Sequence, residues 1–157
     1  IWHYPSLCYF EGTPISCGRG TDAPFTRFGS PWLDGEGYEH LFTPAPDHGS
    51  KHPKFQGKQC GGVQLSQDVT TAPKEINWTY LFNAYAYWKE NAPSEAPEFF
   101  NAFFKKLAGS NEVQQALESG MSADEWVKSY FSELYSYKQK AYEYSLYPLV
   151  ESLHKSN

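Results

Sequence analysis

Chain breakers crowd into one half of this sequence. Ten of the twelve glycines fall at or before Gly62, and eight of the eleven prolines at or before Pro73. Four of the five histidines and both arginines share that stretch. Long helices do not survive such a density of Gly and Pro, so residues 1–73 read as short strands joined by long shaped loops. LCYF (7–10), FTRF (25–28) and GVQLSQ (62–67) are the strand candidates, the last alternating Val63 and Leu65 with polar neighbours. Between Pro31 and Pro53 nothing periodic appears, and GEGYEHLFTPAPDHGSKHP reads as one long loop ordered by Tyr38, Leu41 and Phe42.

From residue 74 the period becomes helical. Trp78, Leu81, Phe82, Tyr85 and Trp88 recur at three and four, the apolar face of a helix stopped near Pro93. Phe99, Phe100, Phe103, Phe104 and Leu107 form a second stripe, with Gly109 where a left-handed cap is expected. A short helix runs from Ser110 to Gly120. Ser122 and Glu125 then form a capping box for the longest helix, whose stripe of Trp126, Tyr130, Phe131, Leu134, Tyr137, Ala141 and Tyr144 continues to Pro148. Rings at this spacing are read as core, and a sugar platform is sought among loop aromatics such as Trp32 or Tyr38. The expected class is α+β: a small sheet with long Gly/Pro-rich loops, then a layer of about four helices. One domain is expected over 1–157, with a strand-and-loop part (1–73) and a helical part (74–157).

At 157 residues the chain is long enough to bury a core without disulfide or metal staples. A net charge of −5 provides no basic footprint for nucleic acid. No run approaches the roughly 18 consecutive apolar residues of a membrane span. The chain opens on Ile1 and enters ordered-looking sequence at once, which reads as a piece of a longer protein. Cys8, Cys17 and Cys60 have no metal-ligand spacing; one disulfide or three free thiols both fit, with free thiols favoured.

The segment FEGTPISCGRGTD (10–22) builds no core, since only Phe10 and Ile15 are sizeable and apolar. Gly12, Gly18 and Gly20 can take positive φ and bring backbone amides close to a ligand. Thr13, Ser16 and Thr21 supply hydroxyls, and Arg19 a rigid fork suited to a carboxylate or phosphate. Glu11 follows an apolar run and is expected at a strand end, shielded enough to raise its pKa toward proton transfer. Glu11 and Arg19, held apart at a solvent-open rim, would suit a polyhydroxylated anionic ligand. Alternatively they pair with each other and merely pin a turn.

Other features carry less. GRGTDA lacks the third glycine of a dinucleotide fingerprint, and no GK[ST] follows for a phosphate loop. His40, His48 and His52 lie in a loop with no helix to align them as metal ligands, so no metal is expected. The Asn77–Thr79 acceptor pattern falls in the helix pattern and is read as chance. Asp22, Asp34 and Glu36 are available as partner carboxylates, with nothing to say which faces Glu11.

YPSLCYFEGTPISCGRGTDAPFTRFGSPWL resembles the signature of the bacterial exo-β-N-acetylmuramidases that act on peptidoglycan fragments, a family long grouped as a domain of unknown function. Its pattern runs close to EGTN-x-S-x-GRGT, then P-F, then G-x-PW. Glu11, Gly12, Thr13, Ser16, Gly18, Arg19, Gly20, Thr21, Pro24, Phe25, Gly29, Pro31 and Trp32 match. KFQGKQCGGVQL resembles a later K-x-x-G-x-x-C-x-G-V block, and the aromatic helices ending near LYP fit as well. The resemblance covers essentially the whole chain. It implies the C-terminal domain of a two-domain protein whose N-terminal, Rossmann-like domain closes the active-site cleft. It also implies removal of terminal N-acetylmuramic acid from peptidoglycan-derived muramyl saccharides, without a cofactor, in the periplasm or as a secreted or lipid-anchored protein.

By position, the resemblance gives Arg19 the lactyl carboxylate and Glu11 a catalytic role, as proton donor or orienting group. Thr13, Ser16, Gly18, Gly20, Thr21 and Trp32 would line the sugar. Glycoside cleavage generally needs two carboxyl groups, so the second is expected in the other domain and the isolated chain is expected to be inactive. Pro14 stands where the family usually has Asn, removing an amide contact and stiffening the turn.

Overall fold

The computed structural model describes residues 2–68, 70, 73 and 75–146. They form two compact units, Ile1–Ala123 and Asp124–Asn157. The class is α+β: a three-stranded antiparallel sheet in the first half and mainly helices in the second.

The first unit opens with a short helix, α1 (Tyr4–Leu7), that tightens into a 3-10 turn over Cys8–Gly12. LCYF is therefore not a strand. Leu7 and Phe10, three residues apart, are both fully buried, whereas Cys8 between them is half-buried. That spacing is helical, and Pro5 sits in the first turn, where its missing N–H does no harm.

Strand β1 (Arg27–Ser30) starts two residues later than expected because Phe25 adopts φ 59°, which no strand accommodates. Strand β3 (Cys60–Gln64) is central in the order β1-β3-β2. The expected long loop contains β2 (His40–Phe42), paired antiparallel to β3 with Leu41 opposite Gly61. Phe28 lies opposite Val63 and Gly29 opposite Gly62 on the other side. Gly61 and Gly62 are packing positions: a Cβ on either would collide with the carbonyl oxygen of Leu33 or Phe28.

Helix α2 (Thr79–Asn91) buries Leu81, Phe82, Ala84 and Trp88, as its period predicts. Asn77 precedes it, and its Oδ1 accepts the Thr79 N–H at 3.0 Å. Phe99 and Phe100 reach the core from the loop before α3 (Phe104–Ala108), stacking around Tyr85 at 5.1 and 5.2 Å. Gly109 caps α3 at φ 77°, as expected, and α4 (Glu112–Glu118) follows. Each fully buried side chain of the Phe10 and Phe104 kind contributes about 1.5–3 kcal/mol.

The second unit carries α5 (Ala123–Glu143), the longest helix, which buries none of its side chains. Phe131 is 63% exposed and Tyr137 69%. The period predicted the helix correctly and its burial wrongly: taken by itself, this unit has no second described element to cover the stripe. The expected end of the stripe at Pro148 lies outside the described residues.

Candidate functional site: an acid–guanidinium pair on a clamped loop

Glu11 sits near the end of the 3-10 turn and not at the end of a strand. Two contacts fix the turn from below. A Cβ on Gly12 would lie 2.5 Å from the Phe104 Cα, so only glycine lets the turn rest on α3. The Gly12 carbonyl then accepts the Asn101 N–H at 3.0 Å. Farther along, Ser16 exchanges two backbone hydrogen bonds with Gly29, at 2.7 and 3.0 Å, which fastens the loop to the edge of β1.

Lys54 is the main clamp. Its ammonium donates to the carbonyls of Phe10, Thr13 and Ile15 at 3.2, 2.7 and 2.9 Å. One cation thereby gathers three carbonyls of the motif, replacing the water that would otherwise solvate them. Burial pulls its pKa below the ordinary lysine value, with the nearby Cys17 and Glu11 acting in the opposite direction.

Arg19 lies between two left-handed glycines, Gly18 at φ 74° and Gly20 at φ 76°. Its Nε donates to Glu11 Oε1 at 2.9 Å, and the side chains remain 43% (Arg19) and 30% (Glu11) exposed. The expectation that they are held apart is not met: they touch. They are not sealed, however. Among the described residues, neither terminal nitrogen of Arg19 nor Oε2 of Glu11 has a hydrogen-bond partner.

Beneath the guanidinium lies the Phe25 ring, its centroid 4.7 Å from Arg19 Cζ and 5.0 Å from the Tyr4 ring. Phe25 holds its φ of 59° through an N–H donated to the Cys17 carbonyl at 2.8 Å. A left-handed conformation costs a residue with a Cβ about 1–2 kcal/mol, so the fold sustains strain directly under Arg19.

The hydroxyls behave differently from the sequence expectation. Thr13 Oγ1 donates to the Phe10 carbonyl at 3.0 Å, and Ser16 Oγ accepts the Gly18 N–H at 3.2 Å. Thr21 Oγ1 donates to the Gly18 carbonyl at 2.6 Å and accepts the Ala23 N–H at 3.2 Å. All three shape the loop. Trp32 meets the rings of Phe55 and Trp88 edge-on at 5.5 and 5.4 Å, and Tyr38 is 7% exposed, so neither is an open loop aromatic.

Asp22 pairs with Arg27 at 3.1 Å, and Asp34 accepts the Tyr87 hydroxyl at 3.0 Å. Among the described residues, none of Asp22, Asp34 and Glu36 pairs with Glu11, and no three His, Cys, Asp or Glu side chains are grouped to hold a metal. The three cysteines are free; burial pushes the Cys17 and Cys60 thiols up to about 12. No described helix is long and apolar enough to cross a membrane.

Sequence reasoning missed the roles of Lys54 and Phe25. Lys54 stands 39 or more residues from its acceptors, beyond any local pattern. A positive φ at phenylalanine has no composition signal at all.

The chain is an α+β module whose small antiparallel sheet is edged by a glycine-rich loop that presents one carboxylate and one guanidinium to solvent. Residues 2–147 match the family described as exo-beta-N-acetylmuramidase NamZ, C-terminal, and the chain belongs to that family. It is 30% identical over 159 residues to the peptidoglycan beta-N-acetylmuramidase NamZ of Bacillus subtilis (strain 168), covering 92% of this chain and 36% of that protein. The crystal structure of a DUF1343 family protein from Bacteroides fragilis is similar at 38% identity and TM-score 0.81, over 93% of this chain and 40% of that one. A second B. fragilis DUF1343 structure shares the fold at 16% identity and TM-score 0.64, over 94% of this chain and 42% of that one. The chain thus spans well under half the length of each.

Proposed function

We propose that this chain is the cleft-forming C-terminal domain of an exo-β-N-acetylmuramidase, releasing terminal N-acetylmuramic acid from peptidoglycan fragments together with an N-terminal domain. The carrying observation is the exposed rim: two unengaged Arg19 nitrogens above the ring of Phe25, whose backbone is left-handed, beside the unengaged Glu11 Oε2. A guanidinium fork suits the lactyl carboxylate, which separates muramic acid from N-acetylglucosamine. Glu11 Oε2 is free to accept from a sugar hydroxyl, and once protonated it would donate that proton to the glycosidic oxygen. The second carboxyl group that glycoside cleavage generally requires would come from the companion domain. A peptidoglycan substrate would suit a protein of the bacterial cell envelope, whether periplasmic, secreted or lipid-anchored.

A second reading has one observation in its favour. Glu11 Oε1 is already engaged by Arg19, as in a muropeptide-binding module that performs no chemistry. Glu11→Gln in the two-domain protein separates them. For a catalytic Glu11, turnover of a chromogenic N-acetylmuramide drops by about 10²–10⁴-fold while substrate binding persists. Unchanged kcat with altered affinity assigns the non-catalytic role.

A further inference from the structure

A concavity lies between the sheet and α2, lined by none of the rim residues. It is an open groove of about 510 Å³, walled by Tyr38, Tyr80 and Tyr87 and floored by Phe28. Glu36 and Glu90 also line it, with the Asn83 amide between them in the chain, and no Lys or Arg does among the described residues. Tyr87 commits its hydroxyl to Asp34. By contrast, the hydroxyls of Tyr38 and Tyr80, the Asn83 amide and both carboxylates have no hydrogen-bond partner among the described residues. An aromatic-walled hollow with a few polar groups not committed to protein partners has the form of a small-ligand site.

The charge pattern selects among ligands. Two carboxylates without a counter-cation repel anions, and tyrosine faces attract cations. Glu90 moreover stands in the last turn of α2, where the helix dipole already disfavours a negative charge. Lys89, its neighbour, is not part of the lining. A positive ligand would relieve both costs. We propose that this groove is a second binding site, for a ligand bearing an aliphatic primary ammonium, as the side chain of a diamino acid in a short peptide does. The ammonium sits between Glu36 and Glu90, and its methylene stem lies along the tyrosine rings.

The test is an NMR titration of the ¹⁵N-labelled protein with acetyl-Ala-Lys-Ala-amide, its norleucine counterpart and chitotriose. The lysine peptide is expected to shift the backbone signals of Gly37, Asn83 and Glu90 and to bind about tenfold more tightly than the norleucine peptide. The exposed double substitution Glu36→Gln, Glu90→Gln leaves the fold intact and abolishes that preference. Equal affinity for the two peptides, unmoved groove signals, a preference that survives the double substitution, or a response to chitotriose alone would each overturn the assignment. Arg19→Ala leaves groove binding unchanged, so failure here and failure of the muramic-acid site are separately visible.

Discussion

Lys54→Met is expected to destabilise the protein by about 3 kcal/mol, measured by urea unfolding at neutral pH. Methionine keeps most of the aliphatic stem, so the loss is not a cavity effect. It is the desolvation of carbonyls that now face the interior with fewer donors. Phe10 O retains the Thr13 N–H and Oγ1 donors, whereas the ammonium is the one donor recorded for Thr13 O and Ile15 O among the described residues. The pH dependence has a definite sign. Burial lowers the folded-state pKa of Lys54, so near the top of the lysine range the unfolded chain binds more protons than the folded one. This group's contribution therefore rises as pH climbs from the depressed value toward the ordinary one. The stability gap between wild type and Lys54→Met should widen there. A gap that narrows would show instead that the folded-state pKa is raised, the three carbonyls favouring the ammonium more than burial disfavours it.

Arg19→Ala is expected to cost activity selectively, on one class of substrate. The side chain is 43% exposed and props no core, so folding should be unchanged. A charge-assisted fork to a carboxylate is worth about 1.5–3 kcal/mol, which corresponds to roughly 10–100-fold in kcat/KM toward muramic-type substrates. Glucosamine analogues, which lack the carboxylate, should lose little. Arg19→Lys should fall between, since it keeps the charge and loses the planar fork. Equal losses on both substrate types would remove Arg19 from carboxylate recognition.

Period and capping made the helical half legible. Trp78, Leu81, Phe82 and Trp88 pointed to α2, and Gly109 marked its neighbour's end. What the period could not reveal was which stripes are buried, as α5 illustrates, with none of its described side chains buried. In the first half, four apolar residues at LCYF fit a strand or a tight helix equally well by composition. The buried, three-residue spacing of Leu7 and Phe10 decides for the helix. The strand expected over 62–67 lies two to three residues earlier, at Cys60–Gln64, because its Gly-Gly pair permits close backbone contact across the sheet.

At the site, Glu11 and Arg19 stood out because charged residues among glycines have little structural work to do. The hydroxyls of Thr13, Ser16 and Thr21 hold the loop together, a use that the sequence does not announce. A hydroxyl that bonds a carbonyl three residues back has the same composition as one that meets a ligand, and only geometry separates them. The support beneath the pair, Lys54 from below and Phe25 behind, depends on long-range contacts and a rare backbone conformation.

Carboxylate recognition at the Glu11–Arg19 rim is tested most directly by comparing two ligands that differ only in that group. N-acetylmuramic acid and its lactyl carboxamide should be titrated calorimetrically into the two-domain protein at low and at high salt. The acid is expected to bind at least about tenfold more tightly, with the advantage shrinking as salt rises. Indistinguishable affinities at low salt would contradict it.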